Sequence, residues 1–475
     1  MFLFKNMNNN LGIMKIYNTL TRTVEEFVPY EEGKVKFYTC GPTVYHYAHI
    51  GNMRNYIGHD ILDKTLRYLG YDVKRVMNIT DVGHLKSDSD SGADKMVESA
   101  KAEHKSVMDI AKFYTDAFFK DFDALNCRRP DVVSPATDNI DEYIKIINVL
   151  LDKGYAYKSG GNVYFDVSKL TDYYKLTNHK EDDMVVGVRD GVDYDDSKRN
   201  QADFALWFTK SKFEDQDLKW DSPFGTGYPG WHIECSGISL KYLGEHLDIH
   251  GGGVDNIFPH HTNEIAQSEA YLGHKWCNYW FHNEHLMDET GKMSKSKGAV
   301  LSVSVLMEKG YNPLAFRLMC LQSHYRKQLV FSYEALNQVE AQYDKLINRI
   351  GLIKDEGDLD EGEFASYNDK FMESLSNDLN TANAITLVYD LLKDEMVNGH
   401  TKLELLRNFD KVLSLNLVAE KKVSADHDKI MKLIEARNDA KKKRDFELAD
   451  TIREELKAKG IILIDTREGT TYKEV

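Results

Sequence analysis

Cysteine is scarce in this sequence. There are five among 475 residues, at positions 40, 127, 235, 277 and 320, and no two form a C-x-x-C pair. So scattered and odd a set excludes a disulfide framework and places the chain in a reducing cytoplasm. Any metal held by these thiols must draw its donors from segments far apart in sequence. Long apolar runs are also missing, and none approaches the roughly 20 residues that span a bilayer. No membrane partner is therefore expected. The opening MFLFKNMNNNLGIMKIYN has too short an apolar stretch and too much asparagine for a secretory signal. Residues 1–14 read as a disordered extension, with Met14 an alternative start. Positive charge is in deficit: the formal net charge is −15, which disfavours indiscriminate binding to nucleic acid. A local basic surface remains open to such a partner. Internal repeats are lacking as well.

What is present is a hydrophobic content of 42%, that of a soluble globular protein, in a chain too long for one core. Roughly two to four domains are expected. KVKFYTC (34–40) is rich in β-formers. The run from Gly51 to Asp72 then carries apolar residues at helical spacing, with Gly70 where a helix would stop. VKRVMNIT (73–80) reads as a second buried strand. A strand, helix, strand unit implies a parallel sheet and an α/β fold. From about 111 to 215 amphipathic helices give way to an Asp-rich section, read as an insertion. WHIECSGISLKYLG, LDIHGGG and WCNYWFHNEHL resume the alternation over 216–300. Residues 301–420 are almost wholly helical, with an acidic linker or exposed loop at DEGDLDEGE (355–363). KKVSAD (421–426) opens a small C-terminal domain, 421–475.

Three local patterns carry chemistry. In AHIGN (48–52) a strand runs through a loop into a helix beginning near Gly51. Free N–H groups and the positive dipole end make a helix start a natural phosphate site, and His49 can donate to phosphate oxygens. Alone, such a pattern is usually an ordinary turn. GKMSKSKG (291–298) packs Lys292, Lys295 and Lys297 among serines and glycines. As an isolated run it would be a solvated basic loop; functionally, it would carry ammonium groups to a triphosphate as charge builds on the leaving pyrophosphate. FPHHTNE (258–264) sets two histidines and a glutamate close together, and Pro259 suits a helix start. Glu264 lies four residues from His260 and three from His261, so spacing alone allows either as its partner.

Taken in order and separated by an insertion, HIGN and KMSKS resemble the two signatures of class I aminoacyl-tRNA synthetases. YTCGPTVYHYAHIGN, PGWHIECSG (229–237), GGGVDNIFPHHTNEIAQSEA (251–270) and GKMSKSKG are similar to the cysteinyl-tRNA synthetase family, and the likeness runs from about Lys15 to the end. Two positions depart from it: Asn52 stands where many class I enzymes have histidine, and Ala299 where asparagine is usual. The resemblance implies a Rossmann-type nucleotide-binding core (15–110 and 216–300) with an inserted connective domain. An all-α bundle that contacts the tRNA stem and an anticodon-binding C-terminal domain would follow. It implies one zinc per chain, held by Cys40, Cys235, His260 and Glu264, and so decides for His260. Cys127, Cys277 and Cys320 are left as small buried apolar residues. Further implied are catalysis by His49, Asn52, Lys292 and Lys295, and ATP binding by His49, Gly251, Gly252, Asp255 and Lys295 with Mg²⁺. Cys40, Gly41 and Trp231 would bind cysteine, although Trp231 could also be a plain core residue. Partners would be ATP, L-cysteine and tRNA(Cys), and the chain a monomer.

A zinc ion suits the task because cysteine and serine are nearly the same size, whereas the metal prefers sulfur and lowers a thiol's pKa. Four protein ligands resemble a closed structural site. Glu264 is therefore the expected weak ligand if substrate sulfur is to bind. The run Lys441–Arg444, densest in positive charge, suits phosphate contacts, though mixed charge at helical spacing also describes a solvated helix. Two rivals remain. An ATP-dependent cysteine ligase acting on a small amine would lack the long C-terminal region that this chain keeps. A non-catalytic tRNA- or zinc-binding paralogue would have no need of intact HIGN and KMSKS.

Overall fold

The structure is a computed structural model that describes residues 12–82, 106–177, 197–210, 218–288, 291–292, 300–418, 427–458, 461–466 and 469–474. It comprises two compact units, Met1–Leu417 and Val418–Val475. The centre of the first is a five-stranded sheet. Its elements in chain order are β1 (Lys34–Thr39), α1 (Ile50–Tyr68), β2 (Asp72–Ile79), α2 (Val107–Ala124), β3 (Val132–Pro135), α3 (Ile140–Asp152), α4 (Trp231–Leu243), β4 (Leu247–Gly253), α5 (Thr262–Leu272) and β5 (Cys277–Asn283). The strand order is β5-β4-β1-β2-β3 and every pair is parallel. The strand, helix, strand unit read from the sequence is thus present as β1-α1-β2.

Alternation along the strands assigns the two faces. Tyr38, Val76 and Trp280 pack with Tyr143, Ile147, Ile233 and Ile265 beneath α3, α4 and α5. Phe37 and Phe281 point the other way, where both rings contact His59 of α1. The chain leaves β1 toward β2 and β3, then returns to lay β4 on the opposite side of β1. Strand order therefore reverses between β1 and β4. The crevice outside their carboxyl ends is where open α/β sheets bind ligands.

The start of α1 is closed by a reciprocal cap. Asn52 N–H donates to His49 Nδ1 at 3.1 Å, and His49 N–H donates to Asn52 Oδ1 at 3.2 Å. At the other end Leu69 caps the helix and Gly70 follows at φ 96°, a conformation that favours glycine.

Some expected boundaries fall differently. Within the stretch 111–215, β3 returns to the central sheet and pairs with β2. An antiparallel four-stranded sheet of Ala156–Ser159, Asn162–Phe165, Phe204–Phe208 and Tyr228–Pro229 stands apart from it. The Asp-rich run at 178–196 lies outside the described residues, as do residues 1–11 and KKVSAD. Gly12, however, donates its N–H to Leu69 O, and Met14 is buried. Within the acidic stretch the Asp360 carboxylate accepts from the N–H groups of Gly362 and Glu363 and caps helix Glu361–Ser376, so residues 361–363 belong to that helix.

Beyond residue 300 the first unit is helical, chiefly Pro313–Leu321, Tyr333–Gly351, Glu361–Ser376, Thr381–Lys393 and Gly399–Leu413. The second unit pairs helices His427–Lys442 and Phe446–Ala458 with a hairpin of Ile461–Thr466 and Gly469–Glu474, around Ile430, Ile434, Ile452, Leu456, Ile461 and Leu463. Among the described residues no helix is long and apolar enough to cross a membrane.

One buried ion pair ties α1 to the helical bundle. Arg317 and Asp60 have fully buried side chains, and Arg317 Nη2 donates to Asp60 Oδ2 at 2.7 Å. The guanidinium also donates to Leu413 O and Leu125 O, while Asp60 accepts from Lys64 Nζ and Arg128 N–H. Removing Arg317 takes a buried counter-charge from Asp60 and leaves the Leu413 and Leu125 carbonyls unmet, and breaking a buried pair typically costs about 3–5 kcal/mol. Arg317→Ala should therefore lower stability by about that much in urea denaturation. A change within about 0.5 kcal/mol, the range of an ordinary surface substitution, would contradict it.

Candidate functional site

A cleft opens at the carboxyl ends of β1 and β4. Cys40 and Gly41 enter it directly from β1. His49 and Asn52 stand at the start of α1, Trp231 and Cys235 on the first turns of α4. Gly253 ends β4, and Asp255 and His260 follow it. All of these line one cavity, although they span more than 200 positions of sequence.

Behind the cleft wall the donors converge. Residues Ile257–His261 are kinked at Phe258, whose backbone is extended (φ −138°, ψ 133°), and run into α5, which carries Glu264 in its own first turn. Cys40 Sγ lies 3.9 Å from Cys235 Sγ and 4.0 Å from Glu264 Oε1. His260 Nε2 is 3.1 Å from that oxygen. Cys40, Cys235, His260 and Glu264 are all buried, with ligand atoms within 4.8 Å of one another. A second set of four shares two members with the first: Cys40, His250, His261 and Glu264. Here His261 Nε2 is 3.3 Å from Cys40 Sγ, and His250 Nε2 is 2.8 Å from Glu264 Oε2. The first set presents Cys40, Cys235 and His260 to the cleft, whereas neither His250 nor His261 lines it.

Electrostatics follow from this burial. Desolvation would raise the Glu264 carboxyl, but the adjacent His250 and His260, by charge and hydrogen bonds, bring it down to about 2. Burial alone would depress His260. The Glu264 charge and then Cys235 outweigh it and push the imidazole up to about 10. Burial raises the Cys40 thiol and drives that of Cys235 well above the ordinary range. Two thiols that resist ionisation, beside a carboxylate and an imidazole, make a donor set that a divalent cation would convert to thiolate. Sulfur, nitrogen and carboxylate oxygen are zinc donors, so the residues fit such an ion.

A second layer of histidines orients the first. His232 Nδ1 meets His260 Nδ1 at 2.9 Å. His261 Nδ1 meets His282 Nε2 at 2.7 Å, and His282 Nδ1 meets Thr19 Oγ1 at 2.7 Å. Sequence reasoning passed over His232, His250 and His282. Their signal was histidine inside WHIECSG, LDIHGGG and WFHNEHL, segments otherwise built for burial. The glycines at the end of β4 also prove tighter than expected. A Cβ at Gly251 would lie 2.9 Å from His59 Nε2, and one at Gly252 would lie 2.6 Å from His261 Cε1. Histidine rings fill the space beside both, while Gly253 and Asp255 face the cleft.

The remaining expected residues are placed as follows. Trp231 is half-buried, lines the cleft and sets its ring 4.3 Å from that of His260. Lys292 is described in its backbone alone, in the short strand Gly291–Lys292 paired with Leu286–Asp288, of which Leu286 borders the cleft. Lys295 and the rest of its loop lie outside the described residues.

Known proteins resemble this chain in sequence and in fold. A family model described as the class I (C) tRNA synthetase catalytic domain matches residues 26–341, and a DALR domain model matches 370–417. A cysteine–tRNA ligase of Treponema denticola is 46% identical over 97% of this chain and 100% of its own length. Another, of Borrelia garinii, is 45% identical over 97% and 99%. Among solved structures, a methionyl-tRNA synthetase of Mycobacterium tuberculosis in complex with methionyl-adenylate superposes with a TM-score of 0.53. It covers 80% of this chain and 88% of that one at 15% identity, a likeness of fold. With a catalytic-domain match over most of the chain and relatives this similar along nearly all of it, the chain belongs to the cysteine–tRNA ligase family of class I tRNA synthetases.

Proposed function

We propose that this protein activates L-cysteine with ATP and transfers the cysteinyl group to tRNA(Cys) in the cytoplasm, choosing its amino acid through a zinc ion held by Cys40, Cys235, His260 and Glu264. The observation that carries this reading is one cleft lined both by two thiols and an imidazole of a buried donor set and by the capped start of α1. When bound, zinc would supply a preference for sulfur over an alcohol oxygen and would lower the pKa of a thiol. Of the two donor sets, the one with Cys235 and His260 is favoured because those residues reach the cleft where substrate must lie.

The chain's own residues then account for the chemistry. The carboxylate of cysteine attacks the α-phosphate of ATP and pyrophosphate leaves. The attacking group is already ionised, so no general base is needed and catalysis is positioning and charge stabilisation. His49 accepts the Asn52 N–H at Nδ1, so in the neutral ring the proton sits on Nε2 and can be donated to a phosphate oxygen. The cap thus sets the tautomer, and Asn52 acts through His49. Lys292 and Lys295 would offset charge on the departing pyrophosphate, with Mg²⁺ accompanying ATP, and Asp255 would hold the ribose. Gly41 and Trp231 would bound the cysteine pocket. In the second step a hydroxyl at the 3′ end of tRNA takes the acyl group. Lys441–Arg444 lie exposed where the first helix of the second unit gives way to the next, a position suited to phosphate contacts in the anticodon arm.

Cysteine-dependent ATP–pyrophosphate exchange tests the reading. It should proceed with cysteine and run about 10⁴-fold less efficiently with serine, the discrimination that coordination affords and shape does not. Serine accepted within about 200-fold of cysteine would mean that fit alone selects, and would defeat the zinc proposal. A chain ending after Lys422 should keep the exchange rate while tRNA charging falls steeply. Equal charging by the truncated and full-length proteins would remove the second unit from tRNA recognition.

A further inference from the structure

Beside Cys40 runs a chain of hydrogen bonds assigned no part above. Gly41 N–H donates to Asn78 Oδ1 at 2.7 Å, Asn78 Nδ2 donates to Thr80 Oγ1 at 3.0 Å, and the Thr80 hydroxyl donates to Glu234 Oε2 at 3.0 Å. Asn78 and Thr80 follow each other on and just after β2, and Glu234 sits on α4 immediately before Cys235. All three are buried: Asn78 and Thr80 are 1% exposed and Glu234 0%. We propose that Glu234, Thr80 and Asn78 form a polarity relay that positions the Cys40–Val44 segment, and with it the amino-acid pocket of the reaction assigned above.

The direction of the relay is what gives it this power. A carboxylate accepts, so the Thr80 hydroxyl proton is committed to Glu234 and the hydroxyl oxygen is left to accept. Asn78 must then turn its NH₂ toward Thr80 and its carbonyl oxygen toward Gly41. A flipped amide would set two donors face to face at Gly41 and two acceptors face to face at Thr80, and both hydrogen bonds would be lost. The segment so held has no slack. A Cβ on Gly41 would stand 1.6 Å from Asn78 O. Thr80 N–H donates to Pro42 O and Val44 N–H to Thr80 O, while Cys40 N–H donates to Gly251 O. The loop carrying one expected zinc donor is therefore laced to β2 on one side and β4 on the other. Glu234 also links it to α4, which carries the second thiol. Glu234 and Asn78 are positioning residues: they act on substrate through Gly41 and its neighbours.

The test exploits polarity, using the full-length zinc-loaded protein. Asn78→Asp keeps the shape but puts an acceptor where the amide donated, so two acceptors compete for one hydroxyl proton. The KM for cysteine in pyrophosphate exchange should rise about ten- to hundredfold, the loss expected when a buried polar group goes unsatisfied. The KM for ATP should stay within about threefold and zinc at one per chain. Glu234→Gln retains an acceptor oxygen and should be mild, within about threefold. The double variant Asn78→Asp, Glu234→Gln reverses both bonds at Thr80 and keeps the one from Gly41 N–H: the new amide donates to Thr80, whose hydroxyl turns to the new carboxylate. It should restore the cysteine KM to within about fivefold of wild type, and thermal stability with it. A double variant no better than Asn78→Asp alone, or an Asn78→Asp protein with wild-type cysteine KM, overturns the relay. Wild-type protein without cysteine-dependent exchange would instead remove the functional reading on which the relay rests.

Discussion

Burying two thiols, a carboxylate and an imidazole within 4.8 Å of one another constrains the catalytic half of this molecule more tightly than any apolar contact. Such a cluster is costly unless every member is paired. Much of the surrounding architecture meets that demand. β1 delivers Cys40, α4 delivers Cys235, and the turn before α5 delivers His260 with Glu264 one helical turn beyond. Four elements from both halves of the sheet are thereby tied to one point. A further layer of imidazoles occupies the other ring nitrogens and carboxylate oxygen. The glycines at 251 and 252 are part of the same constraint, because a side chain there would collide with the rings of His59 and His261.

α1 extends the constraint in the opposite direction. Its capped start places His49 on the cleft. Three turns later Asp60 accepts from Arg317 and so from the helical bundle. A helix with His49 capping one end and a buried ion pair along its length ties the placement of the bundle to that end of the cleft. Strand order supplies the rest: reversal between β1 and β4 opens the crevice that both thiols border.

The parts legible in the sequence were those written locally. β1, α1 and β2 announce themselves by period and by Gly70, and the HIGN and KMSKS segments by residue type and order. Fold class followed from these. β3 did not, because four residues ending in proline carry too little periodicity to separate an edge strand from a turn. His250 and His282 were missed for a different reason. On a strand a buried histidine looks like any polar interruption until the partner that satisfies it is known. Those partners lie 14 and 21 positions away. Asp60 and Arg317 are 257 positions apart, and charged residues in helices ordinarily face solvent. The choice between His260 and His261 could not come from spacing at all. In the sequence it came from the family resemblance; in the structure His260 lines the cleft and His261 does not.

The central claim is that substrate sulfur joins the donor set of Cys40, Cys235, His260 and Glu264. X-ray absorption at the zinc edge addresses this most directly, since sulfur neighbours at about 2.3 Å are distinct from nitrogen and oxygen near 2.0 Å. The sulfur count should be two in the protein alone, rise to three with L-cysteine, and stay at two with L-serine. A count that does not change when cysteine binds would contradict the account, because the thiol would then be recognised without touching the metal.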